Sequence, residues 1–111
     1  MNLSDIKKIA DTYGYDPQSR MLIEEMAELT KALNKFWRKN LLCGQIKITP
    51  ELLERLKRTH EYANVIEEIA DVEIMIAQIK YLLNCENEVS EVAQHKISRQ
   101  LERMKAGDYN V

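Results

Sequence analysis

The sequence predicts an all-α fold from three features. Apolar residues recur at helical spacing along most of the chain. Glu, Leu, Ile, Lys and Ala dominate, and three glycines and two prolines in 111 residues leave few of the turns a sheet requires. Two dipeptides, Asp16-Pro17 and Thr49-Pro50, read as helix starts, with a capping side chain followed by proline at the first helical position. At this length one domain, 1–111, is expected, and 45% hydrophobic residues suffice for a core. A charged fraction of 31% places the chain among ordinary globular proteins, not disordered ones.

The elements follow in order. Leu3–Tyr13 carries Leu3, Ile6, Ile9 and Ala10 on one face, with Asn2 or Ser4 as cap and Gly14 as terminator. A second helix is expected from Pro17 to about Asn40, with a stripe of Leu22, Met26, Leu29, Leu33 and Phe36. Leu41–Thr49 is a break, with Gly44 as C-cap and Ile46-Lys47-Ile48 too short for more than an extended linker. From Pro50 to Asn84 the pattern allows one long helix or two with a bend near Thr59–Asn64. The last helix runs from about Asn87 to Ala106 on Val89, Val92, Ile97, Leu101 and Met104, and Gly107 closes it.

The stretch Val65–Leu83 organises the rest. It is apolar nearly all round, the mark of a helix covered on several sides. A four-helix bundle with a short N-terminal helix is the expected architecture. Three small neighbours cannot cover that helix, so homo-oligomerisation is expected to complete the bundle, as a homodimer or homotetramer.

That helix nevertheless contains Glu67, Glu68 and Asp71. Glu68 and Asp71, three apart, project from one face. Met21–Leu33 repeats the device with Glu24, Glu25 and Glu28. An unpaired carboxylate taken out of water costs several kcal/mol, so such pairs call for cations. Packed together, the two helices would present four carboxylates, a ligand set for hard ions such as Mg²⁺ or Mn²⁺. The other reading is a solvated acidic face, with Glu28 pairing with Lys31 along its own helix.

These motifs, Glu24-Glu25-Met26-Ala27-Glu28 and Glu67-Glu68-Ile69-Ala70-Asp71, resemble the EExxE and EExxD pair of the MazG-like all-α nucleoside triphosphate pyrophosphohydrolases. The likeness covers roughly residues 17–105. Lys96, Arg99 and Arg103 resemble the basic segment that follows the second motif in that family. The resemblance implies Glu25, Glu28, Glu68 and Asp71 as ligands of Mg²⁺, with Mn²⁺ as substitute. It implies a nucleoside triphosphate cleaved at the α–β linkage to a nucleoside monophosphate and pyrophosphate. Glu24 and Glu67 would then orient water or pair with a lysine, and Lys31, Lys96, Arg99 and Arg103 would meet the phosphates. Trp37 is the candidate for stacking on the base, although a tryptophan there also serves as a core or interface anchor. Asn34, Asn40, Gln45 and Gln78 are amides that could read a base. The 39 residues between Glu28 and Glu68 exceed the spacer of the compact members.

Other classes are disfavoured. A net charge of −2 and a pI near 5.7 give no basic footprint for nucleic acid. The opening residues lack the apolar core of a signal peptide, and no apolar run is long enough to span a membrane. A cytoplasmic protein is expected, with Cys43 and Cys85 as free thiols. The competing function is a non-catalytic helical dimer that serves as a protein-interaction module.

Overall fold

A computed structural model of the chain describes residues 1–41 and 47–107. They form five helices: α1 Leu3–Tyr13, α2 Tyr15–Asn40, α3 Pro50–Leu56, α4 His60–Leu82 and α5 Glu86–Lys105. No strand occurs among the described residues. No helix among them is long and apolar enough to cross a membrane.

Capping sets the boundaries. Asn2 starts α1: its side-chain oxygen accepts from the Ser4 and Asp5 amides at 2.9 and 3.3 Å. Gly14 ends it at φ 85°, a backbone region that favours glycine, and its N–H donates to the Ala10 carbonyl. The chain then re-enters helix at once. The expected start at Asp16-Pro17 is therefore two residues late. α2 begins at Tyr15, and Asp16 is not a cap but an exposed partner of Arg20 at 3.3 Å. Pro17 costs nothing inside the first turn, where amides have no helical acceptor.

Of the two readings for Pro50–Asn84, the structure takes the interrupted one. Thr49 caps α3 through Oγ1, which accepts from the Leu52 amide. Thr59 acts in two directions: its hydroxyl donates to the Leu56 carbonyl at 2.6 Å and accepts from the Tyr62 amide at 3.2 Å. One threonine thus closes α3 and opens α4. Asn84, at φ 51°, turns the chain from α4 into α5; asparagine tolerates that region better than most residues. Gly44 and Cys43 lie outside the described residues, as do Gln45 and Ile46; Cys85 is a free thiol.

α2 and α4 run antiparallel and form the centre of the fold. α1 lies against the C-terminal half of α4, where the Tyr81 hydroxyl meets both oxygens of Asp11 at 2.9–3.0 Å and Lys7 sits over the Tyr81 ring. The buried apolar residues are Ile6, Ala10, Leu52, Leu56, Val72 and Met75. Burying a large one of these is worth about 1.5–3 kcal/mol. Leu22, Leu29 and Phe36 of the expected α2 stripe are half-buried, and Phe36 meets Tyr62 edge-on. Met26 and Leu33 are exposed, as are Leu3 and Ile9 of α1.

α5 departs most from expectation. Its stripe Val89, Val92, Ile97, Leu101 and Met104 is exposed, and none of its residues is buried. Within one chain four helices therefore do not close around a common core. The radius of gyration, 17.4 Å, shows the same thing, since a compact chain of this length gives about 13 Å.

Candidate functional site

Polar residues recur every seven positions along the α2–α4 seam. At one end the Gln18 amide donates to the Gln78 side-chain oxygen at 2.7 Å, with both residues buried. Seven residues further along α2 stands Glu25, and seven residues back along α4 stands Asp71. A step of seven returns a helix to nearly the same face, so in an antiparallel pair both sets look across one seam. Among the described residues, Gln78 otherwise reaches only the Met75 sulfur, at 3.5 Å. A shift of α2 along α4 would strand these amides away from water, so they fix the register in which the carboxylates meet.

Glu25, Glu68 and Asp71 converge there. One carboxylate oxygen from each lies within 4.8 Å of the others, and all three residues are half-buried. Two ligands of one Mg²⁺ stand at most about 4.2 Å apart, twice the usual bond length, so slight contraction would seat a small divalent cation. The chemistry of the set fits: three oxygens, no nitrogen or sulfur. Glu68 Oε2 is cut off from solvent and has no hydrogen-bond partner among the described residues.

The electrostatics agree with an uncompensated cluster. Partial burial raises the Glu25 carboxyl above its ordinary value, and the charges of Asp71, Glu68 and Glu28 and a side-chain hydrogen bond with Asp71 push the same way. Glu68 is also raised, first by burial and then by Asp71, Glu28 and Glu67. The charges that raise this pair are all neighbouring carboxylates.

Glu28, the fourth expected ligand, is exposed and outside the trio, though near enough for its charge to act on both Glu25 and Glu68. It lines a cavity of about 230 Å³ with Glu68, Lys31, Ala32, Lys35 and Asn64. Lys31 thus lies one turn from Glu28, and Lys35 and Asn64 join it. Lys31 also borders a second cavity, about 380 Å³, with Asn34, Trp37 and Arg38. Trp37 is 54% exposed, which excludes it from the core of a single chain. Glu24 and Glu67 are exposed, one beside each motif.

Lys96, Arg99 and Arg103 are not brought to the acids: they lie exposed on α5, and no ion pair joins them to the cluster among the described residues. The candidate base-reading amides separate too. Gln78 is locked in the seam, Asn40 donates to Glu61 at 3.2 Å, and Asn34 lines the Trp37 cavity, while Gln45 lies outside the described residues. The seven-residue recurrence of Gln18 and Gln78 about Glu25 and Asp71 was legible as spacing, and it marks the seam that singling out the acids alone missed. No protein-family model, curated protein or solved structure matches the chain.

Proposed function

We propose that the chain is a Mg²⁺-dependent nucleoside triphosphate pyrophosphohydrolase of the MazG-like kind. It would release a nucleoside monophosphate and pyrophosphate in cytoplasmic nucleotide-pool housekeeping, as a homodimer or homotetramer. The carrying observation is the convergence of Glu25, Glu68 and Asp71 from two helices, with one Glu68 oxygen buried and unpaired among the described residues.

The residues divide the work. Glu25, Glu68 and Asp71 hold the cation, and Glu28 joins them through a rotamer change or a water. When bound, Mg²⁺ or Mn²⁺ lowers the pKa of a water and neutralises charge on phosphoryl oxygens. Lys31 and Lys35 offer positive charge to the phosphates in the cavity beside Glu28 and Glu68. Trp37, across Lys31, offers a ring face to the base. Glu24 or Glu67 orients the attacking water and takes its proton. The water oxygen bonds to the α-phosphorus, the bridging α–β P–O bond breaks, and its electron pair leaves on pyrophosphate.

Pyrophosphate release from a panel of ribo- and deoxynucleoside triphosphates tests this. Activity on at least one, reduced about 100-fold or more in Glu68→Gln, is the expected result. Silence across the panel together with no Mg²⁺ or Mn²⁺ binding by calorimetry would refute it. The broad exposed apolar surface favours a second reading, a non-catalytic helical dimer that binds a protein. Melting separates the two: Mg²⁺ raises the wild-type Tm and not that of Glu68→Gln only if the carboxylates bind metal.

A further inference from the structure

The seven-residue recurrence on the seam has a third step. Beyond Gln18 and Glu25 on α2 it reaches Ala32, and beyond Gln78 and Asp71 on α4 it reaches Asn64. Both are half-buried, and both line the cavity of about 230 Å³ beside Glu28 and Glu68. The two helices stay paired past this point: Phe36 and Tyr62 meet edge-on with ring centroids 6.3 Å apart, and Asn40 bonds Glu61 at 3.2 Å. The three layers differ in how they are filled. In the first, two amides bond each other. In the second, Glu25 and Asp71 share a hydrogen bond. In the third, a carboxamide stands opposite a methyl group, which neither donates nor accepts. Open space takes the place of a bond there.

Resting on the triphosphate reading above, we propose that Asn64 is a substrate-binding residue: its side-chain amide donates to a phosphoryl oxygen lodged in this third layer, between the two lysines and the acids. Size favours a phosphate segment. Pockets that engulf a whole organic ligand usually exceed about 300 Å³, so this one suits part of a phosphate chain and not a nucleoside. Charge favours it too. Lys31 and Lys35 both line the cavity, and no ion pair engages either among the described residues. They stand one turn apart, where like charges on a helix repel, and an anion between them relieves that repulsion. The residue type at 64 is also informative. Asparagine is a poor choice inside a helix, because its side chain competes for backbone hydrogen bonds. A lysine or arginine there would stand four residues before Glu68 and pair with it, in competition with a cation. The amide supplies N–H donors without a charge for the carboxylate to capture. Ala32 completes the arrangement, since a longer side chain would fill the slot. One seam thus carries, in succession, a lock, a cation site and a phosphate slot.

Calorimetric titration of the full chain with inorganic triphosphate and Mg²⁺ tests this, because that probe carries the phosphates without base or sugar. The wild type is expected to bind. Asn64→Ala should bind about 10-fold or more weakly, the range for a hydrogen bond to a charged group. Asn64→Asp, which turns the donor into a charged acceptor, should bind more weakly still. Ala32→Leu fills the slot, leaves every charge in place and should lose the triphosphate as well. Mg²⁺ alone should bind Asn64→Ala and Ala32→Leu as it binds the wild type, with matching helical circular dichroism. On any nucleotide that the wild type cleaves, Asn64→Ala should raise KM by a similar factor with kcat little changed. A wild type that ignores triphosphate, or an Asn64→Ala variant whose affinity and KM are unchanged, would overturn the assignment. A change confined to Tm would reduce Asn64 to a structural residue. Binding that depends on Asn64 with no nucleotide cleaved would leave the slot standing and remove the pyrophosphohydrolase reading; cleavage indifferent to Asn64 would do the reverse.

Discussion

The α2–α4 seam and the α5 arm are built from the same kind of sequence and end in opposite environments. All are long amphipathic helices with apolar residues at steps of three and four. The seam buries Val72, Met75, Gln18 and Gln78 and gathers three carboxylates, whereas α5 buries nothing. Periodicity alone therefore says that a face will be covered, without saying by which chain. Polar residues supply what periodicity lacks. The seam has paired amides that define one partner and one register; the exposed α5 stripe has no such pair.

Substitutions can break this contrast at either end. The largest effect is expected in the core, where Met75→Ala should cost about 2–5 kcal/mol by urea unfolding, against less than about 0.5 kcal/mol for Leu101→Ala at concentrations where the protein is monomeric. Equal effects would mean that α5 is packed within its own chain. The amide pair comes next. Gln78→Leu leaves a buried donor on Gln18 and should cost about 1–3 kcal/mol, while Gln18→Leu with Gln78→Leu should recover most of it. Additive losses would show that the pair does not act as a unit. Thr59→Ala removes the cap of α4 and should cost about 1 kcal/mol, seen as a small fall in urea midpoint.

The pH effect sharpens the comparison further. Glu25 and Glu68 have folded-state values above the ordinary 4.5. The folded protein then holds protons that the unfolded chain releases. The stabilisation from protonating them is complete below about pH 4.5 and is lost as the pH rises through their raised values. In metal-free protein, Glu25→Gln with Glu68→Gln should melt higher than wild type near neutral pH, and the gap should narrow towards pH 4.5. A gap that widens on acidification would mean that folding favours the charged carboxylates instead. No comparable variant on α5 should show this dependence.

Much of the fold could be read from the residues. α1 is where Leu3–Tyr13 places it, because Asn2 and Gly14 are strong local signals. α5 begins one residue early and ends one early, which is ordinary fraying at helix ends. Asp16-Pro17 misplaces the start of α2 because Asp-Pro is a valid cap only when nothing upstream starts the helix sooner, and Gly14 does. The break at Lys57–Thr59 was open in the sequence, since no proline or glycine marks it; a single threonine hydroxyl bonded both ways decides it. At the candidate site, Glu25, Glu68 and Asp71 were legible as carboxylates inside apolar runs. Glu28 was not separable from them, because a helix presents i and i+3 as neighbours whether or not both face the seam. Lys96, Arg99 and Arg103 depend on where α5 lies, and nothing local to α5 encodes that.

The Gln18–Gln78 bond also bears on change in the sequence over time. Because contacts within the seam set the alignment of the two long helices, the intervening stretch from residue 41 to residue 59 does not act as their ruler. Insertions that leave Leu52 and Leu56 of α3 buried and Thr59 at the start of α4 can lengthen the connection while the acidic trio keeps its spacing. That stretch is accordingly the place where descendants of this chain could acquire new recognition surfaces without first rebuilding the carboxylate cluster.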